Sequence, residues 1–168
     1  EATATPEPVP GAQPPADVAE AVGGDGVARP LFDAALPEGW TETEYLYGGE
    51  AVGYRTEGEL ADDGFWSAAA DGAAPYRTRM IVRTPPAADF SGVVFVEWFN
   101  VTAGTDSSVD WGYVSEELAR SGHAYVGVSA QAVGVNGAEG GRLQEGLVDT
   151  RGLVARDPQR YGSLEHPG

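Results

Sequence analysis

Between Gly92 and Gln131 the chain carries an apolar strand pattern closed by a charge, then a polar loop, an amphipathic helical pattern and a second apolar strand. No other stretch limits the fold as much. Val93, Val94, Phe95 and Val96 form a continuous β-branched and aromatic run, as in strands buried on both faces of a parallel sheet, and Glu97 and Trp98 close it. Ser107, Ser108 or Asp110 can cap a helix in which Trp111, Val114 and Leu118 recur at helical spacing, with Glu116 and Arg120 four apart on the outer side. Gly122 stops it, and Ala124 to Val128 resumes as a strand. The succession is a β-α-β unit, a crossover between two parallel strands, and it sets the fold class as α/β. Ligands in such sheets bind beyond the carboxyl ends of the strands, here the loops Phe99 to Val109 and Ala130 to Arg142.

The remaining composition narrows the function classes. Of 168 residues 42% are hydrophobic, enough for one domain with a core. Against 26 acids stand 10 bases, all arginine, for a net charge of -16, which argues against nucleic-acid and membrane-surface partners. No apolar run approaches the ~20 residues of a membrane span. Without cysteine there is no disulfide framework, no thiolate chemistry and no zinc-thiolate site. No cofactor is expected, since the chain lacks both GxGxxG and GxxxxGK[ST].

Residues 1–27, rich in Pro, Ala and Thr and then Gly, are expected to form a disordered leader, relieved by a possible turn of helix at Asp17 to Val22. Such a start fits the mature end of a secreted protein as well as an excised piece. The folded domain is expected over 28–168. Trp40 to Tyr54 suggests an antiparallel pair of strands near the sheet edge, and Glu57 to Ala74 a Gly-, Asp- and Ala-rich loop. Asp62, Asp63 and Asp71 there do not match an EF-hand loop. Tyr76 to Thr84 predicts a strand with Arg77, Arg79 and Arg83 on one side and Met80 and Val82 on the other. Only a weak helix is possible around Leu143 to Val148, and Asp157 with Pro158 opens a single turn through Tyr161. One convincing helix for roughly five strands leaves one sheet face bare, so the chain is expected to be incomplete on its own.

Three side-chain groups draw attention. Glu97 ends the most apolar strand, either neutral with a raised pKa or ion-paired with Arg77, Arg79 or Arg83. Ser129, in GVSAQ, is close to the GxSxG nucleophile elbow but departs at the last position, with no helix predicted after it. His123, at the helix end, suits a contact with the helix terminus, and His166 lies in a loop; a triad confined to this chain would have to use one of them. Asn100, Val101 and Thr102 also spell a glycosylation sequon, discounted at a strand end facing a cleft.

The runs PYRTRMIVRTP, FSGVVFVEWFNVTAGTDSSVDW, ELARSGHAYVGVSAQAVGV and ARDPQRYGSLEHPG resemble the amino-terminal half of a largely uncharacterised, often secreted family of bacterial α/β-hydrolase-domain proteins, within the serine hydrolase superfamily. The resemblance covers Leu31 to Gly168 and implies the amino-terminal part of a mostly parallel hydrolase sheet, incomplete without its carboxyl-terminal half. Val93 to Trp98 would be the third strand, and the loop after it supplies half of the oxyanion hole in such enzymes, which here points to the backbone amides of Asn100 and Val101. The nucleophile, acid and histidine would follow later in the chain order. The resemblance therefore implies a secreted ester hydrolase whose triad lies on a second chain or a missing segment, with a small-molecule ester as substrate. The alternative is a non-catalytic extracellular binding or assembly module.

Overall fold

In the computed structural model, residues 17–138 and 148–167 are described. Among these residues five strands form one sheet: β1 (Asp17–Glu20), β2 (Thr41–Glu57), β3 (Ser67–Thr84), β4 (Val94–Trp98) and β5 (Ala124–Val128). Their spatial order is β1-β2-β3-β5-β4. Among the described residues four helices accompany them: α1 (Val109–Ser121), α2 (Ala132–Asn136), α3 (Gly152–Arg156) and α4 (Pro158–Tyr161).

The central unit is β4-α1-β5, and β4 and β5 pair in parallel, from Val94 opposite Ala124 to Trp98 opposite Val128. The remaining pairings are antiparallel, so among the described residues the sheet is mixed rather than mostly parallel. Parallel pairing needs a long crossover, and α1 supplies the one helical crossover between adjacent strands described here; hairpin-joined strands pair antiparallel.

The amino-terminal side of the sheet differs from the expected layout. Residues 17–27 fall within the expected leader and its possible turn of helix, yet Asp17–Glu20 is a strand laid along β2 and Ala21 is buried. Trp40 to Tyr54 does not fold back on itself: β2 is a single 17-residue strand. Its partner β3 begins at Ser67, inside the stretch Glu57 to Ala74 read as a loop. Composition alone argues for a loop there, and ladder hydrogen bonding to β2 overrides it. The weak helix expected around Leu143 to Val148 lies almost wholly outside the described residues. Within the expected loop Ala130 to Arg142 the short helix α2 forms, and α3 precedes the capped turn α4. There Asp157 accepts the Arg160 N–H at 3.1 Å, the cap predicted for that turn.

The strand β3 alternates as predicted, but its arginine face is the buried one. Arg79, Ile81 and Arg83 lie under the helical layer, whereas Met80 and Val82 on the other face are half-buried. Across the ladder Glu42 stands opposite Arg83 and Leu46 opposite Arg79, with Glu44 between them, so the buried cations meet carboxylates in phase. On this face Ile81, Phe99, Trp111, Leu118 and Tyr125 form one apolar cluster. Leu46, Val135, Leu153, Tyr161 and Leu164 form a second. On the opposite face Val94, Val96 and Trp98 are half or more exposed, with no helix over them among the described residues. The outer edge of β4 likewise carries no strand partner among them.

The candidate oxyanion loop and its buried supports

The loop from Phe99 to Ser108 leaves β4 at its carboxyl end and enters α1, and backbone chemistry fixes its shape. Asn100 and Ser107 exchange two hydrogen bonds, N–H to carbonyl at 3.1 Å and back at 2.9 Å, closing the loop at its base. Within it the Gly104 N–H donates to the Val101 carbonyl at 2.9 Å, and Gly104 turns the chain at φ 81°. The Thr102 N–H donates to the Asn100 side-chain oxygen at 2.9 Å, an Asx turn. The Asn100 N–H is thus committed to Ser107, whereas the Val101 N–H, half-exposed in the same loop, has no acceptor among the described residues. Of the two backbone amides singled out, Val101 supplies the uncommitted donor.

Two buried carboxylates anchor the ends of this loop. Among the described residues Glu97 pairs with no arginine. Its carboxylate accepts the N–H groups of Asp110 and Trp111, each at 3.0 Å, and the Tyr125 hydroxyl at 2.6 Å. The capping role considered for Ser107, Ser108 or Asp110 therefore belongs to a strand residue outside the helix, and Ser108 makes no side-chain cap. Its hydroxyl instead donates to the Leu31 carbonyl at 3.2 Å. Burial, and then donation to Glu97, push the Tyr125 hydroxyl well above the usual phenol range. Arg83, a candidate partner of Glu97, binds Asp33 at 2.6 Å and Glu42 at 2.8 Å instead, with its guanidinium over the Trp111 ring.

Asp106 is the second anchor, and it is 1% exposed. Its Oδ2 accepts from the Ser129 hydroxyl at 2.6 Å and from Arg79 at 3.0 Å. The Arg79 Nε–H donates to the Ser129 Oγ at 2.9 Å, closing a three-membered ring of side chains. Arg79 also binds Glu44 at 2.9 Å and the Ala28 carbonyl at 2.7 Å. Arg160 and the Tyr161 hydroxyl reach the same Glu44. Burial opposes the Arg79 charge, but the carboxylates of Asp106 and Glu44 outweigh it and hold the guanidinium above its ordinary pKa. With two arginines and two carboxylates the cluster is formally neutral, the condition under which buried charge is tolerated.

Ser129, near-elbow in sequence, is thus fully buried between an arginine and a carboxylate rather than presented at a turn. A short helix does follow it, beginning at Ala132. His123, placed at the helix terminus by sequence, binds Ser91 there through Nδ1 at 2.7 Å, on the side where β4 and β5 begin. The terminus itself is closed by backbone: the N–H groups of Gly122 and His123 donate to Ala119 and Leu118. Arg120 pairs with Glu117 rather than Glu116, both partners exposed. His166 approaches the Ala130 carbonyl at 3.3 Å.

Beyond the carboxyl ends of β4 and β5, on the uncovered face, lies a cavity of about 860 Å³ walled by Tyr47, Tyr76, Val96, Trp98, Val128 and His166 among others. Its walls include Gln131 to Val133 but neither Asn100 nor Val101. The Gln131 side chain ties the two loops together, donating to the Phe99 carbonyl at 3.0 Å. Glu97 and the ring of Arg79, Asp106 and Ser129 were missed as loop supports because their partners are backbone groups or lie far apart in sequence. Among the described residues no cluster of His, Cys, Asp and Glu could hold a metal ion, and no helix is long and apolar enough to cross a membrane.

No curated protein and no solved structure matches the chain. A family model described as "Alpha/beta hydrolase domain" matches residues 6–168, nearly the whole sequence. With a β-α-β unit in its sheet and an anchored loop beyond the carboxyl end of β4, the chain belongs to the alpha/beta hydrolase domain family.

Proposed function

We propose that this chain is the amino-terminal portion of a secreted serine-type hydrolase of carboxylic esters, contributing scaffold and one oxyanion donor. The observation that carries the reading is the uncommitted Val101 N–H in a loop closed by the Asn100–Ser107 bridge, beyond the carboxyl end of β4. An oxyanion donor must be fixed before the charge develops, since a donor that reorients during the reaction loses most of its value. In the proposed reaction a serine from a carboxyl-terminal half attacks the ester carbonyl, and the carbonyl oxygen gains negative charge against the Val101 N–H. Losing one such donor typically costs about 3 kcal/mol of barrier. The burial of Ser129 supports placing the nucleophile outside this chain, and the bare face around Val94, Val96 and Trp98 supports a covering segment from the same hydrolase.

The bare apolar face also supports a second reading, a non-catalytic extracellular module that binds a partner there. Ester turnover and fluorophosphonate labelling, measured on this chain alone and together with its carboxyl-terminal continuation, separate the two. The hydrolase reading expects both activities in the complete assembly and neither in the chain alone; an inert assembly leaves the binding module.

A further inference from the structure

Resting on the ester-hydrolase reading, we propose that Asp106, gripped by Arg79 and Ser129, is a positioning residue that sets the orientation of the Val101 N–H. Four observations converge on it. Asp106 lies in the buried return limb of the loop, immediately before Ser107, whose backbone closes the bridge to Asn100. Its backbone carbonyl accepts the Leu31 N–H at 2.9 Å, while the Ser108 N–H donates to the Leu31 carbonyl at 2.9 Å, so the limb cannot slide along its neighbour. Its Oδ2 is held by two donors, Arg79 of β3 and Ser129 directly after β5, on strands that pair with each other in the sheet. Its Oδ1 is buried without a hydrogen-bond donor among the described residues and faces Gly134 of α2, where any Cβ would collide with it. The carboxylate is therefore fixed from the sheet on one side and packed by a glycine on the other.

Moving this carboxylate moves Ser107, and Ser107 sets the place of Asn100 and the amide that follows it. A loop misplaced by about 1 Å can cost on the order of 100-fold in rate with substrate binding little changed. Ser129 is on this account part of the support, so it is required for speed and dispensable for covalent labelling.

The test uses the hydrolase assembled with the segment that carries its nucleophile, in wild-type, Asp106→Asn and Ser129→Ala forms. Active sites are first titrated with a fluorophosphonate, so that misfolded protein is not counted. Then kcat and KM are measured for p-nitrophenyl butyrate, and affinity for an alkylboronic acid that mimics the tetrahedral adduct. We expect both variants to label, kcat per labelled site to fall about 10- to 100-fold, KM to stay within about twofold, and boronate affinity to fall in step with kcat. A purely structural role would lower the number of labelled sites and leave kcat per site unchanged, which overturns the assignment. A wild-type assembly that neither labels nor turns over ester overturns the hydrolase reading and this assignment with it. An active wild type with unaltered variants overturns this assignment alone.

Discussion

Replacing Glu97 should be among the most damaging single changes in the chain, and by an amount the structure supplies. Its carboxylate serves three donors: the N–H groups of Asp110 and Trp111 and the Tyr125 hydroxyl. Trp111 and Tyr125 are fully buried, so in Glu97→Ala their two donors lose the carboxylate that accepts them, at about 1–3 kcal/mol apiece. Asp110 is better placed to find water, and its loss resembles removal of an ordinary helix cap, about 1 kcal/mol. The sum is about 5 kcal/mol, a large fraction of a typical domain's stability. Glu97→Gln keeps the shape and one acceptor oxygen, but it presents an amide donor where donors already point, so it should cost about 2 kcal/mol. Urea titration followed by tryptophan fluorescence measures both. With a slope of about 2 kcal/mol per molar urea, the alanine variant should shift the midpoint by about 2.5 M and the glutamine variant by about 1 M. A loss below about 1 kcal/mol for Glu97→Ala, or equal losses for the two variants, would refute this account of the helix start.

Other expectations concern glycines and pH. Gly127→Ala would drive a methyl group into the Phe99 ring and the Tyr125 hydroxyl, and should cost about 2 kcal/mol or more by thermal denaturation. Gly122, at φ 65°, closes α1 against the Asp89 carbonyl, so Gly122→Ala should cost more than the ~1 kcal/mol of backbone strain alone. Burial pushes the Glu42 carboxyl up, but hydrogen bonds from Arg29 and Arg83 outweigh it and leave its pKa below the ordinary 4.5. Its contribution is therefore complete above that pH and lost as pH falls below it. The Tyr125 and Tyr161 hydroxyls, raised mainly by burial, work in the opposite direction: their contribution holds below pH 10.0 and is lost as pH rises beyond it. Urea midpoints should therefore peak between these limits, and a midpoint still rising below about pH 4 would contradict the sign.

The β-α-β unit was legible because its signals are local: a β-branched run, apolar residues at helical spacing, a stop glycine, and strand residues again. The long β2–β3 ribbon was not. The segment from Ser67 to Ala74 has the small, flexible residues of a loop, and it is a strand only because β2 lies beside it. The burial of the arginine face is non-local in the same way. Alternation located Arg79 and Arg83 correctly on one side of β3, but hydrophobicity alone assigns that side to solvent. The alternating acids Glu42 and Glu44 in β2 were the available clue, since they fall in phase with those arginines once the ladder forms. The loop was placed by its position after β4, whereas the commitment of the Asn100 N–H to Ser107 depends on a bridge that no motif announces. Ser129 shows the limit of motif reading: two matching residues of a near-elbow, Gly127 and Ser129, do not expose a serine whose hydroxyl is already held by Arg79 and Asp106.

The central claim is that this chain provides the oxyanion side of a hydrolase site while another segment provides the nucleophile. Its most direct test is fluorophosphonate labelling of the complete assembly, with the modified residue located by peptide mass spectrometry. The account predicts one labelled serine outside residues 1–168 and none in this chain, alone or assembled; a label on Ser129, or on any other serine of the chain, would contradict it.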